Sequence, residues 1–130
     1  MNAQTTANTY KTQQVMTASR EELTLMLYNG AIRFANESIK AMEAGEKEKA
    51  HHANLRVQEI VQEFMVTLDM NYDIAKDMYA LYEYITYRLV QANIQKDKEQ
   101  LREAKDMLTE LRDAWYQAMK QARVAEAVGK

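Results

Sequence analysis

Apolar positions in the first long periodic stretch of the chain fall into more than one stripe. At about 100° per residue, Leu23, Met26, Leu27, Gly30 and Phe34 share one face of a helix opening near Glu22. Leu25, Ile32 and Ile39 lie on roughly the opposite side, which leaves Glu22, Asn29, Arg33, Asn36 and Lys40 as a narrow wedge for water. A single amphipathic face is enough to join a bundle. Two faces predict a helix buried on both sides, or one that keeps a face for a partner.

Local signals set the ends of this helix and of three more. Ser19-Arg20-Glu21-Glu22 fits a capping box at the start, and Gly45 supplies a stop after about residue 44. A second helix is expected over 46–68, with Ala50, Val57, Val61, Phe64 and Leu68 inward. Asp69-Met70-Asn71 is the break before a third helix over 73–93, which would bury Ile74, Met78, Leu81, Ile85 and Leu89. Asp97 with Gln100 resembles a capping pair for a fourth, whose inward stripe is Leu101, Ala104, Leu108, Leu111, Trp115, Ala118 and Ala122. Trp115 sits among apolar neighbours on that stripe and is expected to be structural. Residues 1–18 are polar, rich in Thr, Gln and Asn, and without helical period, so they read as a mobile arm. The expected fold is all-α: an antiparallel four-helix bundle over 19–127 carrying a flexible N-terminal arm over 1–18.

Composition narrows the function. A chain of 130 residues without proline or cysteine is the size of one domain and offers no thiol chemistry. The net charge of −2 is scattered, with no basic face for nucleic acid. No secretory signal opens the chain, and no apolar run approaches the ~20 residues of a membrane span, so membrane insertion is not expected and the cytoplasm is the default location.

Catalytic and metal readings find little support. Glu48-Lys49-Ala50-His51 matches one Glu-x-x-His motif of a di-iron bundle, but the second motif needs a histidine on another helix and the only other one is the adjacent His52. A histidine phosphotransfer bundle using His51 or His52 is the alternative function. Both histidines lie near a helix start rather than mid-helix, without a small, basic setting for a phosphoryl group. Ser19 is a cap, and no glycine-rich loop could cradle a phosphate. No enzyme, cofactor or metal is expected.

The surplus apolar positions continue beyond the first helix. Leu55 and Val66 lie about half a turn from the second helix's core stripe, on a face shared with Gln62. The third helix adds Tyr79, Tyr82 and Val90 beside its stripe, with Tyr84 and Tyr87 farther round. Tyrosine presents a large ring while keeping its hydroxyl in water, and the nine methionines suit surfaces that adapt to a partner helix. Any one of these residues could simply widen the core. Together they predict a groove built from Leu25, Ile32, Leu55, Gln62, Val66, Tyr79, Tyr82 and Val90. Tyr10, Val15 and Met16 of the arm could fold over it while it is empty.

Several stretches resemble one family in order along the chain. ASREE followed by LTLMLYNGAIRF (residues 18–34), YRLVQANIQKD (87–97) and LRDAW (111–115) are similar to the flagellar secretion chaperone family FliS, as is Asn8-Thr9-Tyr10 in the arm. The resemblance runs from about Tyr10 to Met119. It implies an export chaperone in the bacterial cytoplasm that binds the C-terminal segment of flagellin, disordered when free, and prevents premature polymerisation. It also implies delivery to a component of the flagellar type III export gate, with Tyr10 helping the loaded chaperone dock there. It leaves open whether a flagellin-sequestering regulator or a co-chaperone takes turns on the same surface.

Overall fold

The computed structural model describes the backbone of residues 3–129 and the side chains of 5–129. Five helices follow one another: α1 (Ala3–Thr17), α2 (Arg20–Glu43), α3 (Lys47–Thr67), α4 (Ala75–Gln95) and α5 (Lys98–Gly129). The last four form the expected bundle. Helix α2 packs against α3 and α5, and α4 packs against the same two, so α2 and α4 stand on the diagonal.

Short-range chemistry fixes the boundaries. Ser19 Oγ accepts from the Glu22 amide at 3.2 Å, capping α2. Gly45 takes φ of +75°, a left-handed conformation that costs glycine nothing, and so ends α2. Asp69 Oδ1 accepts from the Asn71 amide in the α3–α4 turn, and Asp97 Oδ1 accepts from the Glu99 amide where α5 begins. Just before it, Lys96 adopts the left-handed region with φ of 55° and closes α4.

The core differs from the expected stripes in three helices. In α2 the fully covered line is Tyr28, Ala31, Ala35 and Ser38 with Ile39, which runs between the two expected stripes. Alanine and serine carry little hydrophobic weight in a sequence pattern, yet their size lets neighbouring backbones come close. In α4 the buried line is Ala75, Tyr82, Ile85, Leu89 and Ala92, while Ile74 and Leu81 are exposed. Tyr82 displaces Leu81 because it has long-range partners: its hydroxyl bonds that of Tyr28 at 2.8 Å, and its ring stacks on Phe64 at 5.5 Å. In α5 the line ends on Met119, and Ala118 and Ala122 are exposed.

Both apolar stripes of α2 are partly covered by neighbouring helices, while Leu27 stays 37% exposed. Leu25, Asn29, Ile32, Ile39 and Glu43 lie along one flank at helical spacing. Asn29 Oδ1 accepts from Arg112 of α5, and Glu43 pairs with Lys98 and Arg102 of α5, so this flank faces α5. The other flank faces α3, where Ile60 lies 3.7 Å from the position a Cβ on Gly30 would occupy.

The N-terminal segment is helical where an aperiodic arm was expected. The hydroxyls of Thr9, Thr12 and Thr17 donate to the carbonyls of Thr5, Asn8 and Gln13 one turn back. Every side chain from Thr5 to Thr17 is exposed, so α1 draws little from tertiary packing. At the same end, α5 extends past the bundle and is exposed over 120–129.

Trp115 joins α5 to the start of α2. It is half-buried against the core, and its indole N–H donates to the Glu21 carbonyl at 3.1 Å. Trp115→Ala is expected to cost about 3 kcal/mol, at the low end for a large aromatic because the ring is only partly covered. A shift of the urea midpoint at constant slope checks this; an unshifted midpoint would remove the structural role.

Candidate functional site

The outer seam between α3 and α4 collects most of the expected groove residues. Two contacts fix how the two antiparallel helices meet. Asn54 Nδ2 donates to the Leu89 carbonyl at 3.0 Å, and Asn93 Nδ2 lies 2.6 Å from His51 Nδ1. Between them and the α3–α4 turn, Leu55, Gln58, Glu59, Gln62 and Thr86 line one shallow cleft of about 400 Å³.

Helical spacing extends this cleft into a groove. On α3, Leu55, Gln58 or Glu59, Gln62 and Val66 follow at steps of three and four. On α4, Tyr79, Thr86 and Val90 follow at steps of seven and four. Leu55 and Val90 are half-buried, Gln62 is exposed, and Val66 and Tyr79 are 70% and 38% exposed. Five of the eight expected residues, Leu55, Gln62, Val66, Tyr79 and Val90, therefore flank a single seam. Large apolar side chains left in water along such a line form a surface suited to a partner.

The other three belong elsewhere. Tyr82 is 4% exposed and sits in the core between Phe64 and the Tyr28 hydroxyl. Ile32 packs against the core on the flank of α2 that faces α5, and Leu25 is half-buried on the same flank. A helical wheel reveals that a face is apolar but not which neighbour covers it. Tyr10, Val15 and Met16 are all exposed, so in this structure α1 does not cover the groove.

Other apolar groups extend the surface without having been expected in it. Met70, Tyr72 and Ile74 of the α3–α4 turn and Ile94 near the end of α4 are exposed. The signal that could have found the turn residues was their density in a segment without helical period.

Tyr84 and Tyr87 flank Arg88 on α4. The Arg88 guanidinium lies 5.1 Å and 5.9 Å from the two ring centroids, and Arg88 Nε donates to the Tyr84 hydroxyl. That hydroxyl in turn donates to Glu103 of α5 at 2.6 Å, so this cluster braces the α4–α5 seam.

The histidines do not assemble a reactive centre. His51 is half-buried beside Asn93, and His52 is exposed at the start of α3. Among the described residues, no group of three or more His, Cys, Asp or Glu side chains is placed to hold a metal ion. No helix of the described residues is long and apolar enough to cross a membrane.

Comparison with known proteins bears on the family and the fold. The family model for the flagellar protein FliS matches residues 2–122. The flagellar secretion chaperone FliS of Bacillus subtilis (strain 168) is 40% identical over 114 residues, covering 88% of this chain and 86% of that protein. The protein of the same name from Escherichia coli (strain K12) is 26% identical over 108 residues, covering 81% of this chain and 79% of that protein. A crystal structure of a flagellar chaperone from bacteria has the same fold, with a TM-score of 0.73 at 15% identity over 92% of this chain and 99% of the other. The match over nearly the whole length and the 40% identity lead to one conclusion: the chain belongs to the FliS family.

Proposed function

We propose that the chain is a flagellar export chaperone, without enzymatic activity, that holds the C-terminal segment of flagellin in the α3–α4 groove. In this reading it acts in the cytoplasm, keeps flagellin from polymerising prematurely, and accompanies it to the flagellar type III export gate. The observation that carries the reading is the uncovered apolar seam of α3 and α4 in a chain of this family. A segment that is disordered when free must gain enough apolar burial to offset the entropy it loses on ordering. A helix laid along a groove gains it through anchors at i, i+3, i+4 and i+7. Leu55 and Val66 on one lip, and Tyr79 and Val90 on the other, stand about three helical turns apart and can meet such anchors from both sides.

Titration of the purified chain with the C-terminal flagellin segment tests the proposal. Saturation at one segment per chaperone, with a gain of helical circular dichroism, is the expected result. No binding at micromolar concentration would overturn it.

Helix α1 serves delivery rather than client binding in this reading. Its exposed Tyr10, Val15 and Met16 are free to meet the export gate. Tyr10→Ala is expected to reduce flagellin secretion severalfold while leaving segment affinity unchanged. Deleting residues 1–18 should leave affinity equal or higher. A deletion that lost affinity would make α1 part of the client site. A flagellin-sequestering regulator or a co-chaperone that took turns with flagellin would compete for the same groove.

A further inference from the structure

At the middle of the groove a directional chain of side-chain amides leads out of the core. Asn54 is 0% exposed, and its Nδ2 donates to the Leu89 carbonyl of α4 at 3.0 Å. A carbonyl can only accept, so the amide orientation of Asn54 is fixed, with Oδ1 turned toward Gln58. That oxygen accepts from Gln58 Nε2 at 2.7 Å. Gln58 is fixed in turn: one N–H of its nitrogen is engaged inward, and Oε1 and the second N–H remain on a residue that lines the cleft. Reversing either amide would set nitrogen against nitrogen or oxygen against oxygen.

The neighbouring polar groups have the same sense. The Thr86 hydroxyl donates its proton to the Tyr82 carbonyl at 2.9 Å, so toward the cleft its oxygen can only accept. Glu59, on the rim of the same cleft, offers a carboxylate. Gln62 also lines the cleft, but its exposed amide is free to turn either way and sets no preference. The cleft thus offers mainly acceptors, Gln58 Oε1, the Thr86 oxygen and the Glu59 carboxylate, against the one remaining N–H of Gln58.

We propose that Gln58, held by Asn54, is a specificity-determining residue for the client. It selects a helix that brings a side-chain N–H donor, a carboxamide or a cation, to mid-groove between its apolar anchors. The inference rests on the flagellin-binding reading and adds a polar register to it. A site built to hydrogen-bond one group rejects an analogue that lacks it more strongly than an apolar pocket rejects a change of shape, because the buried partner is left unpaired. The pairing also fixes the position of the client helix along the groove, which apolar contacts at repeated spacing leave degenerate.

The test is a coupling experiment on the full chain. Each Asn, Gln, Lys and Arg of the C-terminal flagellin segment is replaced singly by Leu, and each peptide is titrated into the parent and into Gln58→Met. One replacement should weaken binding to the parent about tenfold and leave binding to Gln58→Met nearly unchanged. Gln58→Lys should reproduce the loss, since it keeps a donor for Asn54 but removes the acceptor; this covers the case in which Gln58→Met does not fold. Losses that are equal in parent and variant at every position would overturn the inference while leaving the chaperone reading intact. A parent that binds no segment would overturn both.

Discussion

Leu55→Asp combined with Val66→Asp is expected to weaken binding of the flagellin segment on the order of a thousandfold. Covering a side chain of this size with a client helix contributes roughly 1.5–3 kcal/mol. Two such losses amount to about 3–6 kcal/mol, and each 1.4 kcal/mol is about a factor of ten in affinity. The two positions lie roughly 16 Å apart along one helix, far enough for their effects to add. Val66 is 70% exposed, so its replacement should leave the bundle's stability nearly unchanged. Leu55 is half-buried and will cost part of its own packing, which the melting curve of the single variant reports separately. Val124→Asp, at an equally apolar and exposed position near the end of α5, should bind like the parent. Normal binding by the double variant would mean that the α3–α4 groove is not the client site.

Alkaline unfolding should be steep and should begin near the ordinary tyrosine range. Burial holds the Tyr28 phenol well above its usual value, and the hydrogen bond to Tyr82 raises it further. Burial also raises Tyr82, partly offset by the bond to Tyr28. In the unfolded chain both would ionise near pH 10, at about the model-peptide value. Below that pH both states keep these protons and the pair's contribution is fully present. As pH rises above it, the unfolded state loses protons that the fold retains, so stability falls. Each retained proton costs up to about 1.4 kcal/mol per pH unit. Tyr28 alone across two pH units amounts to about 3 kcal/mol, a large part of a marginal domain's stability, and Tyr82 adds in the same direction. Urea unfolding from pH 9 to pH 12, followed with phenolate absorbance, checks this. Two of the eight tyrosines should ionise only as the fold is lost. Tyr28→Phe should make the slope shallower. Ionisation of all eight in the folded state would contradict the account.

What was legible in the sequence was local. Ser19, Gly45, Asp69 and Asp97 each work through hydrogen bonds or backbone angles within a few residues, and all four boundaries formed where expected. Core lines that depend on distant partners were not legible. Leu81 and Tyr82 both fit a stripe with Met78, Ile85 and Leu89, and only Tyr28 and Phe64, on two other helices, decide between them. The Ala31, Ala35 and Ser38 line of α2 was hidden because small side chains pack by proximity rather than by hydrophobic weight. The helix of α1 was hidden because threonine and asparagine have low helix propensity and no apolar period marks it.

The residues that flank the proposed groove were legible only in part, for the same reason. Leu55, Val66, Tyr79 and Val90 stood off their helices' core stripes, and they remain at the surface or half-buried on one seam. Leu25 and Ile32 looked equivalent to them but lie on the flank that α5 covers. Gln58 and Asn54 carry no signal in a pattern of apolar positions. Their roles follow only from the pairing of α3 with α4.

Amide hydrogen exchange of the full chain, free and saturated with the C-terminal flagellin segment, tests the central claim most directly. Added protection should concentrate on the outer turns of α3 from Leu55 to Val66 and of α4 from Tyr79 to Val90, with the α2–α5 seam unchanged. Protection confined to α2 and α5, with α3 and α4 unaffected, would contradict the assignment of the groove.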